Sequence, residues 1–304
     1  MAQFPNEQNE ESGSFERQED AFGGWVRADG STEFEPEPGR YHLYVCYACP
    51  WAHRTIIVRQ LKRLEECISM SAVDPIRTDE EGWAFREGDG HGPDPVNGFE
   101  FLKQAYLATD PDYQGRVTVP VLWDKRSGKI VSNNDDDLMR MLNSEFDAFG
   151  ASEVNLVPPD LEPEIDRLNQ LIYETVNNGV YRAGFASSQK AYEEAVYPLF
   201  DTLDLLEVRL TRNDFLFGDQ VTETDWRLFV TLIRFDAVYH GHFKCNLRRI
   251  ADYPNLHRYL KNLYRIGNIT ETVNFDHIKR HYYVTHDDIN PTGIVPAGPA
   301  ADSW

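Results

Sequence analysis

Residues 41–54 decide how the first half of this chain folds, and they read Tyr41-His-Leu-Tyr-Val-Cys-Tyr-Ala-Cys-Pro-Trp-Ala-His-Arg54. The β-branched and aromatic run at 41–46 predicts a strand. Apolar residues then recur at helical spacing over 56–64. Pro50 suits the first helical position, where its missing N–H would be unpaired anyway. The stretch therefore predicts a strand, a short turn and a helix with Cys49 at its N-cap.

The segment that follows continues this start into an α/β domain, predicted over residues 41–150. A second strand is predicted at Cys67–Val73, and a Gly-, Asp- and Pro-rich excursion at 80–115. A third strand at 117–123, interrupted by Pro120, leads through a hairpin to Ile130-Val131 and a helix at 133–142. This order is typical of a thioredoxin-like unit, in which a cis-proline faces the active cysteine, and Pro120 is the candidate.

The rest of the chain divides into three segments. Residues 160–285 carry several long helical patterns and few strand signals, which predicts an all-α domain after a proline-marked linker. Residues 1–40 predict an extended arm, which Phe15, Phe22 and Trp25 would dock on a folded body. Residues 286–304 predict an irregular tail.

The charge of the chain excludes one class of partner. It has 304 residues, with 50 Asp and Glu against 30 Lys and Arg, a formal charge of −20. Nucleic-acid binding is disfavoured because counterion release needs a basic surface. The acid is spread along the chain, and Arg outnumbers Lys 22 to 8. This composition fits a protein of a high-salt cytoplasm and equally an ordinary acidic cytosolic protein.

The hydrophobic content bounds the remaining classes. With 41% hydrophobic and 12% aromatic residues the chain is not a disordered acidic protein. No apolar run approaches the roughly 18 residues that span a bilayer, and the N-terminus is polar, so we expect a cytoplasmic protein without membrane contact. The nine histidines are scattered, and we expect no metal site.

The pair Cys46 and Cys49 is the candidate reactive centre. A helix N-terminus stabilises a thiolate and lowers the pKa of its cysteine, and Cys49 has that position while Cys46 ends a strand. A redox pair of the two thiols stays open, although the nucleophile of such pairs is usually the first cysteine. A structural role, as a small buried side chain, also stays open for each.

Six motifs follow in order along the chain. They are Cys49-Pro-Trp-Ala-His-Arg54, Gly82-Trp-Ala-Phe85, Arg116-Val-Thr-Val-Pro120, Asn177-Asn-Gly-Val-Tyr181, Arg234-Phe-Asp-Ala-Val-Tyr239 and His277-Ile-Lys-Arg-His-Tyr282. Together they resemble the glutathionyl-hydroquinone reductases, the Xi class of the glutathione transferase superfamily, over about residues 13–300. The resemblance implies a thioredoxin-like domain followed by an all-helical glutathione-transferase C-terminal domain, in a homodimer without a permanent cofactor.

The resemblance also implies a reaction and its catalytic residues. Such enzymes cleave S-glutathionyl-hydroquinones, so the implied partners are a small thiol and an aromatic hydroquinone. Cys49 would attack the sulfur, form a mixed disulfide and be released by a second thiol. Tyr181 would donate or accept the proton. Tyr239 and Tyr282 would lower the pKa of Cys49 and bind the aromatic ring.

The thiol site implied by the resemblance departs from the family pattern at one pair. Where the family usually carries Glu-Ser to hold the γ-glutamyl group, this chain has Asn134-Asp135. The thiol is therefore predicted to be glutathione or the shorter γ-glutamylcysteine, for which a halophilic archaeon is one setting. The residues implied for this site are Trp83, Arg116, Val117, Thr118, Val119, Asn134 and Asp135.

Two other functions remain open. An omega-like thioltransferase or dehydroascorbate reductase would use the same Cys49, but the three tyrosines argue against it. A non-catalytic binding protein with the same fold is favoured only by the altered Asn134-Asp135 pair, against which the intact Cys49-Pro-Trp-Ala52 motif counts more.

Overall fold

The computed structural model describes residues 7–300, which form two compact units. The first, the sheet unit, contains Glu19–Asn155 and Glu271–His281. The second, the helical unit, contains Leu156–Thr270, together with the chain up to Gln18 and the chain from Tyr282. Each unit therefore combines segments from distant parts of the sequence.

The sheet unit is built on four strands. They are β1 (Tyr41–Val45), β2 (Ser69–Ala72), β3 (Val121–Asp124) and β4 (Lys129–Ser132). Their order is β2-β1-β3-β4, with β1 parallel to β2, β3 antiparallel to β1, and β4 antiparallel to β3. All five residues of β1 are buried, as expected for a central strand of a covered sheet.

Three helices accompany the sheet: α1 (Pro50–Leu61), α2 (Lys103–Thr109) and α3 (Asp135–Ser144). Helix α1 packs against α3, and α2 packs against β4. The parallel β1–α1–β2 unit, the antiparallel hairpin and α3 follow in the predicted order, so the thioredoxin-like prediction is confirmed. Helix α2 lies inside the excursion over 80–115, where no helix is predicted from the sequence.

One predicted strand is wrong in its first half. Residues 117–120 are not part of the sheet, and β3 begins only at Val121. The reason is a side chain: the Tyr106 hydroxyl donates to the Thr118 carbonyl at 2.9 Å and accepts from the Thr118 N–H at 3.1 Å. These backbone groups therefore bond to a phenol instead of a neighbouring strand. The predicted cis bond before Pro120 is confirmed.

The part of the arm in the sheet unit lies along β4. The Gly24 N–H donates to the Val131 carbonyl at 2.8 Å, and the Asn133 N–H donates to the Phe22 carbonyl at 3.1 Å. Val26 is fully buried. The arm thus docks through backbone pairing as well as through aromatic side chains.

The helical unit is an all-α body, as predicted. Its helices are α4 (Glu162–Ile172), α5 (Gly179–Gly184), α6 (Gln189–Arg209), α7 (Glu223–Arg234) and α8 (Pro254–Tyr264), and α9 (Phe275–Thr285) begins in the sheet unit and ends here. Two π-helical turns, Tyr173–Asn177 and Phe235–Tyr239, precede α5 and follow α7. Every residue of α7 is buried, which makes it the central helix of this unit.

Candidate active site

Cys49 lies where the sequence predicted, at the N-cap of α1 with Pro50 at the first helical position. The residue is partly exposed, whereas Cys46, just after β1, is fully buried. The Cys49 Sγ donates to the Val119 carbonyl at 3.6 Å, directly before cis-Pro120. The free N–H groups at a helix start favour a negative charge, so this position stabilises a thiolate.

Val117 and Thr118, two of the predicted thiol-site residues, lie in the same loop. Because the Thr118 N–H and C=O both bond to Tyr106, they already have partners within the protein. The Thr118 hydroxyl accepts from the Asn133 side-chain amide at 3.0 Å. Val117 is partly exposed, and the Val119 carbonyl accepts from the Cys49 thiol.

Trp83 is buried in the sheet unit, with 7% of its surface exposed. Its ring stacks on His281 with centroids 5.3 Å apart, and the Arg77 guanidinium lies 5.9 Å from its centroid. His281 in turn bonds through Nδ1 to the Pro75 carbonyl at 2.7 Å. Trp83 therefore contacts the His281 ring and lies near the Arg77 guanidinium.

Arg116 and Asn134 share a partner on the arm. The Asn134 amide donates to the Asp20 carboxylate at 3.2 Å, and Arg116 Nη2 lies 4.0 Å from the other oxygen of Asp20. Asn134 is also the N-cap of α3, accepting from the Asp137 N–H at 2.9 Å. The structure therefore brings these two predicted thiol ligands together at one carboxylate.

Asp135 is held by a buried cation. Arg54, only 1% of whose side chain is exposed, donates to Asp135 at 2.7 Å and to Asp136 at 3.1 Å. The Arg54 guanidinium also lies 4.6 Å from the Trp51 ring centroid. Asp135 is 15% exposed and Asp136 is 44% exposed, so the first carboxylate is the more enclosed partner of the ion pair.

Tyr181, Tyr239 and Tyr282 form one cluster in the helical unit. The Tyr282 hydroxyl lies 2.5 Å from that of Tyr181 and 2.9 Å from that of Tyr239. The Tyr239 and Tyr282 rings are buried, at 0% and 1% exposure, while Tyr181 is partly exposed. Tyr181 therefore presents the one phenol of the three that reaches solvent.

Burial fixes the protonation of the inner two phenols. It raises the pKa of both Tyr239 and Tyr282 well above the usual value, and repulsion from the neighbouring phenols raises it further. Both side chains are therefore neutral hydrogen-bond donors at neutral pH. Their positions come from the π-helical turn Phe235–Tyr239 and from α9, which place the two hydroxyls against each other.

Sequence reasoning missed two residues of these sites. Arg54 belongs to one of the six motifs but carries no predicted role, and Asp20 belongs to none of them. Both act through partners that lie 81 and 114 residues away in the chain, Asp135 and Asn134. The available signal for Arg54 was a positive charge on an otherwise apolar helix face, which requires a buried carboxylate.

Two absences hold for the described part of the chain. Within residues 7–300, no three His, Cys, Asp or Glu side chains are grouped as a metal site. Among the helices of the same residues, none combines the length and apolar character needed to span a bilayer.

Comparisons with protein-family models match both halves of the chain. Residues 48–145 match the glutathione S-transferase N-terminal domain, and residues 189–262 match the glutathione S-transferase C-terminal domain.

Individual relatives match nearly the whole chain. Glutathionyl-hydroquinone reductase PcpF of Sphingobium chlorophenolicum is 55% identical over 95% of this chain and 90% of its own. The crystal structure of the glutathione-S-transferase Xi from Phanerochaete chrysosporium superposes with a TM-score of 0.92 at 50% identity, covering 95% of this chain and 98% of that one. The glutathione-bound structure of YqjG from Escherichia coli K-12 gives 0.90 at 52% identity, covering 93% and 94%.

Proposed function

The chain belongs to the Xi class of the glutathione transferase superfamily, with the glutathionyl-hydroquinone reductases, and we propose on that premise that it reduces S-glutathionyl-hydroquinones through Cys49. The observation that carries this proposal is Cys49 itself, a partly exposed residue at the N-cap of α1 with its Sγ 3.6 Å from the Val119 carbonyl. A cysteine in this position is accessible to a substrate, and the helix N-terminus stabilises its thiolate, which is the nucleophilic form.

The reaction takes two steps, cleavage of a sulfur–carbon bond and then thiol–disulfide exchange. In the first, the Cys49 thiolate attacks the substrate sulfur; the new S–S bond forms as the sulfur–carbon bond breaks, and the ring carbon takes a proton. The products are the free hydroquinone and a mixed disulfide on Cys49. In the second, a thiol molecule attacks the mixed disulfide, leaves as the disulfide product and returns Cys49 to the thiolate form.

Tyr181 is the proposed proton donor. A phenol hydroxyl donates one hydrogen, so Tyr282 can donate to only one of its two neighbours. If Tyr239 donates to Tyr282 and Tyr282 donates to Tyr181, these hydrogen bonds stabilise the phenolate that forms when Tyr181 gives up its proton. The burial of the inner two phenols and the partial exposure of Tyr181 support this polarity. Tyr239 and Tyr282 then act on the reaction by supporting Tyr181.

The proposed thiol site uses Trp83, the loop 116–119 and the start of α3. The Val119 backbone, next to the cysteine, is the segment that an extended γ-glutamyl thiol pairs with. Asn134 and Asp135 replace the Glu-Ser pair of the family, and here Asp135 is already engaged by Arg54. We propose that this altered pair accommodates γ-glutamylcysteine in preference to glutathione.

Turnover with the two thiols tests both parts of the proposal. We expect hydroquinone release from an S-glutathionyl-hydroquinone, with γ-glutamylcysteine giving the higher kcat/KM as the second thiol. A clear preference for glutathione would overturn the thiol assignment and leave the reaction standing. Faster turnover of hydroxyethyl disulfide than of the conjugate would instead favour an omega-like thioltransferase, and no turnover of either would favour a binding protein.

A homodimer in the cytoplasm completes the proposal. None of the four cysteines, all of which lie among the described residues, is in a disulfide, as expected in a reducing compartment. Light scattering of the purified chain tests the dimer, and a monomer at working concentration would overturn it.

A further inference from the structure

The first described residues form a small folded segment on the helical unit. The Ser187 N–H donates to the Gly13 carbonyl at 3.0 Å, and the Ser188 hydroxyl donates to the Ser12 carbonyl at 2.8 Å. Gly13 has a φ of +73°, and a Cβ there would lie 2.8 Å from the Ser187 hydroxyl. The segment is therefore fitted closely to the loop between α5 and α6.

This segment places a cation against the tyrosine cluster. Phe15 is 5% exposed, and its ring lies 5.4 Å from that of Phe185. Arg17 Nε donates to the Asn178 side-chain oxygen at 3.0 Å. The Arg17 guanidinium carbon lies 5.0 Å from the Tyr181 ring centroid and 5.3 Å from that of Phe15.

A guanidinium at this distance from a phenol has a defined electrostatic effect. It is always charged, and it attracts the negative face of an aromatic ring within about 6 Å. The attraction increases when the phenol loses its proton, because the ring and its oxygen then carry a full negative charge. The cation thus favours proton release from the ring it covers.

We propose that Arg17 is a positioning residue for Tyr181, fixing its ring and stabilising the phenolate left when its proton passes to the departing hydroquinone. The proposal rests on the proposed function, in which Tyr181 is the proton donor. It gives the N-terminal segment a part in the reaction, beyond its docking on the helical unit.

Other charged and titratable groups surround the same cluster. Tyr239 and Tyr282 are kept protonated by burial, and the positive charge of Arg234 opposes that effect by lowering the pKa of both. The His286 ring lies 5.5 Å from that of Tyr282. Because the inner two phenols hold their protons, Tyr181 is the first phenol of this cluster expected to lose its proton as the pH rises.

Three substitutions separate the charge of Arg17 from its packing. Arg17→Gln keeps an N–H donor for Asn178 without the charge, and Arg17→Met keeps an apolar side chain on Phe15. If one of these uncharged variants misfolds, the other still tests the loss of the charge. Arg17→Lys keeps the charge. Arg27→Gln is the matched control, since Arg27 is another arm guanidinium, 4.6 Å from the Trp25 ring centroid but in the sheet unit.

Two measurements are needed. The first is the pH profile of single-turnover hydroquinone release. The uncharged variants are expected to fall about three- to tenfold in rate and to move the alkaline limb up by about 0.5 to 1 pH unit. Arg17→Lys should recover most of the rate, and Arg27→Gln should match the wild type.

The second measurement does not depend on turnover. Tyrosinate absorbance is followed as the pH is raised, in the wild type and in each uncharged variant. Each protein is compared with the same protein carrying Tyr181→Phe, and the difference between the two titrations reports the ionisation of Tyr181. A higher Tyr181 titration midpoint in the uncharged variants supports the role of Arg17. This holds even if the wild type releases no hydroquinone, a result that would overturn the proposed function alone. An unchanged midpoint, whatever happens to the rate, would overturn the role of Arg17.

Discussion

Replacing Tyr282 by Phe removes the hydroxyl at the centre of the tyrosine cluster. That hydroxyl is 2.5 Å from Tyr181 and 2.9 Å from Tyr239. Tyr239 is fully buried, and losing a buried partner costs about 1–3 kcal/mol of unfolding free energy. Tyr181 loses the donor that stabilises its phenolate, a charged hydrogen bond of about 1.5–3 kcal/mol, so hydroquinone release should slow about 10- to 100-fold.

The assay compares single-turnover hydroquinone release with urea unfolding for the same preparation. Tyr253→Phe is the control, because Tyr253 is 2% exposed and its hydroxyl donates to Asp204 at 2.8 Å, away from the cluster. We expect the control to lose stability while its rate stays within about twofold of the wild type. A Tyr282→Phe enzyme that loses stability but releases hydroquinone at the wild-type rate would refute the support of Tyr181 by Tyr282, and Tyr282 would be a core residue.

Three further predictions follow from the sheet unit. His42 bonds to the Ser69 and Ser71 hydroxyls, and burial lowers its pKa to about 4. Because the folded protein binds this proton less readily than the unfolded chain does, the contribution of His42 to the unfolding free energy is complete above pH 6.5. Up to about 3 kcal/mol of it is lost as the pH falls through 4. Urea unfolding at pH 7 and pH 4 should show a smaller loss in His42→Asn, and equal losses would contradict the assignment. Arg54→Met should lower the unfolding free energy by about 3 kcal/mol, because the enclosed Asp135 carboxylate loses its cation, whereas Asp136→Asn at the exposed partner should cost less than about 1 kcal/mol. Similar costs in urea unfolding would show that the ion pair is not effectively buried. Cys46→Ser should keep hydroquinone turnover within about twofold, since Cys46 is fully buried, and loss of turnover would restore a two-cysteine mechanism.

The features predicted correctly depend on short stretches of sequence. Strand β1, the turn and helix α1 follow from residue types between positions 41 and 64, and Cys49 at the N-cap follows from Pro50 next to it. The hairpin of β3 and β4 is signalled by its own turn at Lys125-Arg-Ser-Gly128. Such features are set locally, by backbone propensity and by the cost of an unpaired N–H.

The features that the sequence did not reveal depend on distant partners. Residues 117–120 have the composition of a strand, yet the Tyr106 hydroxyl takes up the Thr118 backbone groups. Arg17 is an ordinary arginine of a polar arm until Phe15 and Asn178 fix it against Tyr181. No periodicity or motif spacing encodes such pairings, because they form only when separate segments pack together.

Mass spectrometry of Cys49 in a single turnover tests the central claim most directly. The enzyme is mixed with an S-glutathionyl-hydroquinone in the absence of free thiol, and the cysteine peptides are then identified. We predict a glutathionyl mixed disulfide on Cys49, one hydroquinone released per adduct formed, and neither product with Cys49→Ser. Hydroquinone released by Cys49→Ser at the wild-type rate, or an adduct on Cys46, Cys67 or Cys245 in place of Cys49, would contradict the mechanism.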